Sequence, residues 1–151
     1  MNQDRIEQDI LIDAQPAQVW AVLTEPAHVG EWFGQGAPAE IDLRPGGVMV
    51  LDHGDHGTFP TTIVTVDPPR RFVYRWASGF PGEAATEVNS TLVEFTLEPE
   101  NGGTRLKVVE SGFTTRLPAP VPSHDDSHAG HVKGWTGILP ELKKRSEKLG
   151  V

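Results

Sequence analysis

The chain has 151 residues, enough for one hydrophobic core, and no cysteine, so neither disulfides nor thiol chemistry enter its design. Its 13 Lys and Arg against 21 Asp and Glu leave a net charge of −8 with histidine neutral. Such a surface repels phosphate backbones and anionic headgroups, which argues against a nucleic-acid or membrane partner. The apolar runs are too short to span a bilayer, and the polar start shows no secretory leader, so one cytoplasmic domain over residues 1–151 is expected.

From Arg5 to Ala14, the residues Ile6, Ile10 and Ile12 alternate with Arg5, Glu7, Asp9 and Asp13, which predicts a half-buried strand with Gln8 and Ala14 facing inward. Pro16 suits the first turn of a helix carrying Val19, Trp20, Val22 and Leu23 on one side. Pro26 opens a second short helix ending near Trp32-Phe33-Gly34. Arg44-Pro45-Gly46-Gly47 is turn chemistry, and Val48 to Asp52 reads as a strand. The polar segment Asp52-His53-Gly54-Asp55-His56-Gly57 is a hairpin connection to a strand over about Thr61 to Val66.

Arg71 to Trp76 alternates cleanly, with Phe72, Tyr74 and Trp76 on one face and Arg71, Val73 and Arg75 on the other. Ser78 to Asn89 is a loop. Thr91 to Glu98 sets Val93, Phe95 and Leu97 inward, and Arg75 and Glu94 are expected to pair on the outer face. Glu100-Asn101-Gly102-Gly103 is a tight turn into the last strand, Thr104 to Glu110, with Leu106 and Val108 inward. Strands in series joined by short turns make an antiparallel meander.

Leu117-Pro118-Ala119-Pro120-Val121-Pro122 is a stiff connector, after which Ser123 is placed to cap a helix and Asp125 and Asp126 to favour its first turn. The stripe Val132, Trp135, Leu139, Leu142 and Leu149 predicts a long terminal helix. Gly130, Gly134 and Gly137 weaken it, and Pro140 is expected to break it into two segments sharing a direction. Lys143, Lys144, Arg145 and Lys148 complement the negative end of its dipole.

The fold class that follows is α+β: a curved antiparallel sheet closed by the C-terminal helix, with two short helices after the first strand. A curved sheet and a helix leave space between them, and Phe72, Tyr74, Trp76, Phe95 and Trp135 are expected to converge there. Trp32, Phe33 and Phe59 are placed near one end, and Leu139 on the helix face above. Periodicity alone favours a filled core, since that is what most inward aromatics make. Glu110 shares the inward parity of Leu106 and Val108, which would make it an anchor or acid–base group in an apolar cavity. Its position at a strand end favours instead an outward path to water or Arg116.

His124, His128 and His131, interleaved with Asp125 and Asp126, have helical spacing, and His53 and His56 add donors of the types zinc uses. First-turn acids and a glycine-punctuated surface helix account for them more simply, so no metal and no cofactor is assigned. Neither a serine nucleophile elbow, nor a phosphate loop, nor a dinucleotide fingerprint occurs.

Ile12-Asp13-Ala14, Val19-Trp20, Leu23-Thr24-Glu25-Pro26 and Glu31-Trp32-Phe33 resemble the opening of the SRPBCC, or START-like, superfamily. Pro45-Gly46-Gly47, Asp67-Pro68-Pro69-Arg70-Arg71-Phe72, Tyr74-Arg75-Trp76, Glu110-Ser111-Gly112-Phe113 and Gly134-Trp135 continue the likeness in order. Within it, the chain is similar to the short bacterial members of the branch named for the activator of the heat-shock-protein-90 ATPase. The resemblance spans Ile6 to Leu149 and implies a helix-grip fold in which the C-terminal helix closes a hydrophobic tunnel. The eukaryotic activator carries a further N-terminal domain with no counterpart in this sequence, and no chaperone role follows from the likeness.

The leading expectation is a binding module, a carrier, sensor or sequestering protein for a small apolar or aromatic molecule, monomeric or homodimeric. An enzyme of the cyclase or aromatase sort, using Glu110, Tyr74 or a histidine, is the alternative that the resemblance implies. A chaperone-contacting module is a weaker third.

Overall fold

A computed structural model describes residues 4–33, 39–54, 57–119 and 126–149. Strand β1 (Arg5–Ile12) is followed by helices α1 (Pro16–Thr24) and α2 (Pro26–Trp32), then β2 (Glu40–Ile41), β3 (Val48–Asp52), β4 (Thr58–Asp67), β5 (Arg71–Trp76), β6 (Thr91–Glu100) and β7 (Gly103–Ser111). Helix α3 (His128–Leu149) ends the chain. The strands form one seven-stranded sheet, order β1-β7-β6-β5-β4-β3-β2, antiparallel throughout. From β2 to β7 it is the expected meander, and β1 closes the far edge against β7.

Turn chemistry sets the sheet's register. Asn101 and Gly102 carry φ of 52° and 79°, the left-handed pair of a two-residue hairpin, and Glu100 faces Gly103 across it. Thr104 and Ile12 are partners in the β1–β7 ladder, so that hairpin also seats the end of β1. A β-carbon on Gly103 would lie 2.3 Å from the Ile12 carbonyl oxygen. On the outer face, Arg71 rather than Arg75 reaches Glu94, at 3.3 Å. In the register Glu94 stands opposite Val73, and Arg71 is its diagonal neighbour, as is Arg75; the guanidinium that bonds is Arg71's.

The inner face buries Ile6, Ile12, Phe72, Tyr74, Val93, Phe95, Leu97, Leu106 and Val108 beneath α1 and α3. Helix α1 starts at Pro16, its entry held by the Gln18 carboxamide accepting from the Gln15 N–H at 2.7 Å. Helix α3 lies against β1 and α1 and is tied to β1 by polar straps. The Gln8 amide donates to the Val132 carbonyl at 3.2 Å, Lys143 to the Leu11 carbonyl at 3.2 Å, and the Asp13 N–H to Glu147 at 2.8 Å.

Three expectations for α3 are corrected. The helix is continuous through Pro140, which sits on its exposed face, so it is one rod and not two segments. Its N-terminal cap is Ser127, whose hydroxyl accepts from the Gly130 N–H at 3.0 Å. Its buried stripe is His131, Trp135, Leu139, Leu142 and Ser146, with Val132 half-buried and Leu149 exposed. Ser123, Asp125, His124, the Pro120–Pro122 end of the connector, Asp55, His56 and Gly34 lie outside the described residues. No helix among the described residues is long and apolar enough to cross a membrane.

Gly103→Ala should destabilise the fold by about 1–3 kcal/mol, because the new methyl group can be seated only by moving the Ile12 end of β1. Urea melts of the two proteins measure it; equal midpoints would mean that the β1–β7 edge yields freely.

Candidate functional site

Glu110, near the end of β7, points inward and has no exposed surface. Its carboxylate accepts from the Thr91 hydroxyl at 2.5 Å, the Trp135 indole N–H at 2.8 Å and the His131 Nδ1–H at 2.8 Å. The expected outward path to water or Arg116 is therefore wrong: α3 covers this strand end and supplies two donors, so the end does not fray. Arg116 turns instead to Asp126, giving one N–H to a carboxylate oxygen at 3.2 Å and another to the backbone oxygen at 2.5 Å.

His131 stands between the two carboxylates. Its Nε2 is 3.4 Å from Asp126 and 3.2 Å from the Ser78 oxygen, and it is buried, not the solvated surface histidine expected. Burial alone would lower the imidazole's pKa, but hydrogen bonds to Asp126 and Glu110 and their charges outweigh it and raise it to about 9. Asp126 moves the other way. Its burial opposes ionisation, yet bonds from His131 and Ser78 and the Arg116 charge hold it below the ordinary carboxylate range. The result is a line of alternating charge running from the buried Glu110 and His131 to the part-buried Asp126 and Arg116.

Ser78, His131 and Glu110 have the spacing of a serine–histidine–acid relay, but the charges are wrong for one. A protonated imidazole cannot take a proton, and the Ser78 hydroxyl donates to Asp126. Tyr74 is no better placed for acid–base work. Burial, with the Glu110 charge added, holds its phenol well above the ordinary value, and its hydroxyl is buried with no hydrogen-bond partner among the described residues.

A cleft of about 310 Å³ opens beside this network, lined by Phe33, Trp76, Gly130, His131, Lys133, Gly134, Trp135 and Ile138. Trp76 meets His131 ring to ring at 4.9 Å and Phe33 edge-on at 5.2 Å, while Phe33 and Trp135 are 6.0 Å apart. Of the aromatic residues singled out from the sequence, Trp76, Trp135 and Phe33 line it. Phe72, Tyr74 and Phe95 do not; they are fully buried and packed on one another at 5.6 and 6.3 Å, with Phe95 edge-on to Trp135 at 5.7 Å. These three pack on one another beneath the helices and lie apart from this cleft.

Leu139 is buried beneath α3, and Phe59 packs between His53 and Trp76 at 5.2 and 6.3 Å. Trp32 donates its indole N–H to the Val22 carbonyl at 2.7 Å and stacks on Phe33 at 5.1 Å. It borders a second, smaller hollow of about 150 Å³ with Glu31, Glu141 and Arg145.

Among the described residues no three histidine or acidic side chains gather as a metal group. His53 packs against Phe33, Phe59 and Trp76, and the His128 Nε2 lies 2.9 Å from the Arg5 carbonyl. Sequence reasoning missed His131, Lys133 and Ile138 as lining residues. His131 had a signal, standing four positions before Trp135 on the buried face, but a stripe counted in apolar residues passes over it.

A meander gripping a terminal helix, with an aromatic cleft where they diverge, defines a START-like helix-grip domain. The chain belongs to the Activator of Hsp90 ATPase homolog 1-like protein family, whose model matches residues 13–147. No curated protein matches it. Among solved structures it is similar to protein MLL2253 from Mesorhizobium loti, with 20% identity, 95% of this chain and 97% of that one covered, and a TM-score of 0.74. The Aha1 dimer from Colwellia psychrerythraea is similar at 17% identity, covering 95% and 96%, with a TM-score of 0.72. DynU16, a protein in the dynemicin biosynthetic locus, matches at 23% identity and a TM-score of 0.69 over 95% of this chain. The present chain spans 47% of DynU16, about half its length. Identities this low carry the fold and no more.

The charge line has a pH signature. His131 gains affinity for its proton on folding, so its stabilising contribution is complete below about 6.5 and is lost as pH rises through about 9. Asp126, depressed in the fold, contributes above its ordinary 3.8 and loses that only in acid. Stability from urea melts should fall between pH 6.5 and 9. Glu110→Gln should cost about 3–5 kcal/mol at neutral pH and flatten that decline. A decline of unchanged steepness in the variant would detach it from this pair.

Proposed function

We propose that the chain binds a small apolar or aromatic molecule in the cleft between Phe33, Trp76 and the first turns of α3. The observation that carries the reading is the cleft itself: aromatic walls around about 310 Å³, at the low end of ligand pockets, beside the polar network centred on the buried Glu110 and His131. Trp135 and His131 belong to both, so Glu110 holds the cleft walls in place without reaching a ligand. A carrier, sensor or sequestering role fits this better than catalysis. Both His131 ring nitrogens face carboxylates and Glu110 accepts from three side chains, which leaves none of these groups available to a bound substrate. An acidic chain without cysteine suits a cytoplasmic setting.

Gly134 supplies the test. Beyond the helix's own backbone, a β-carbon there would meet no atom of the described residues within 4 Å, and Gly134 lines the cleft. Gly134→Leu should fill that space and gain about 0.5–1 kcal/mol of helix propensity. An apolar fluorescent dye should bind the parent chain saturably at one molecule per chain, and the variant at least tenfold more weakly, with a higher melting temperature. Dye binding that ignores the substitution would place the ligand elsewhere.

A further inference from the structure

We propose that the molecule held in the cleft is a flat aromatic anion, an aryl carboxylate of one or two fused rings, and that Lys133 selects it. This rests on the cleft being a ligand site and adds the ligand's charge and shape to that reading.

Shape comes from the walls. Phe33 and Trp76 stand at 79° to one another with centroids 5.2 Å apart, so they form a corner. A flat ring system laid on one of them meets the other edge-on, the arrangement aromatic pairs favour. Gly130 and Gly134, four apart on α3, also line the cleft and bring no side chain to it, which leaves a bare strip of helix for a planar face. The volume, about 310 Å³, suits a bicyclic ring with one substituent and not a long acyl chain.

Charge comes from the lining. The chain carries net −8, yet no aspartate or glutamate is among the described lining residues, and the two ionisable ones are His131 and Lys133. The His131 charge is already matched by Glu110 and Asp126. Lys133 is exposed and makes no hydrogen bond or ion pair among the described residues. An ammonium beside apolar walls attracts an anion more strongly than it does in open water, because less solvent screens the pair. The ring would sit against Phe33 and Trp76 with its carboxylate at the rim, where the flexible lysine stem can follow it. An aromatic cation would meet the same ammonium as a like charge, and a neutral analogue would gain nothing from it.

Three molecules sharing one ring separate these cases: 2-naphthoate, 2-naphthylmethanol and 2-naphthylmethylammonium, titrated into the whole chain and followed by tryptophan quenching and calorimetry. Naphthoate should bind at least tenfold more tightly than the alcohol, with the ammonium weakest, and added salt should narrow the gap. Lys133→Gln should reduce naphthoate binding about tenfold and leave the alcohol unchanged. Lys133→Glu should reverse the order of acid and ammonium. Gly134→Leu should weaken all three. Equal binding of acid and alcohol, or naphthoate affinity indifferent to Lys133→Glu, overturns the selection by charge while the ligand site stands. No saturable binding of any of the three, or binding that Gly134→Leu leaves intact, overturns both readings.

Discussion

A carboxylate with no path to water sits where the last strand meets the terminal helix, and the arrangement of both depends on satisfying it. Burying Glu110 unpaired would cost several kcal/mol, so its position is tenable only with donors around it. Thr91 brings one from β6, and His131 and Trp135 bring two from α3. Because the donors come from separate elements, the helix cannot slide along the sheet or rotate on it without stranding a charge. The pairing continues outward through Asp126 to Arg116, so that each buried charge has an opposite neighbour.

This grip explains where the fold is full and where it is open. The far half of α3 is fastened to β1 through Lys143 and Glu147, and its middle rests on Leu139 and Leu142. Under that stretch Phe72, Tyr74 and Phe95 occupy the concave face themselves. Towards the start of α3 only His131 packs on Trp76, and Gly130 and Gly134 on either side of it bring no side chain to the cleft. The cleft is thus the product of missing side chains on the helix, not of sheet curvature alone.

The elements that hang on turn chemistry were legible in the sequence. Val48–Asp52 and Arg71–Trp76 begin and end as read, because prolines, glycines and strict alternation mark their limits. Pro140 misled, since a proline whose ring faces solvent costs the helix one bond and need not break it. Glu110 misled for a subtler reason. Its parity pointed inward, and only the partners contributed by α3, remote in sequence, make that direction affordable. The cleft was not legible at all in its position, because which part of a concave face is filled depends on side-chain volumes meeting across three elements.

Along α3 the residues that hold the fold and those that meet the cleft's open side are different. His131, Trp135, Leu139 and Leu142 are buried, whereas Lys133 and Gly134 are exposed one or two positions away. Exchanges at exposed positions usually change stability by no more than about 0.5 kcal/mol. The rim can therefore drift in charge and size under selection for a new small molecule while the buried stripe is conserved by folding alone. A helix partitioned in this way lets a lineage change what it recognises without first weakening what it is.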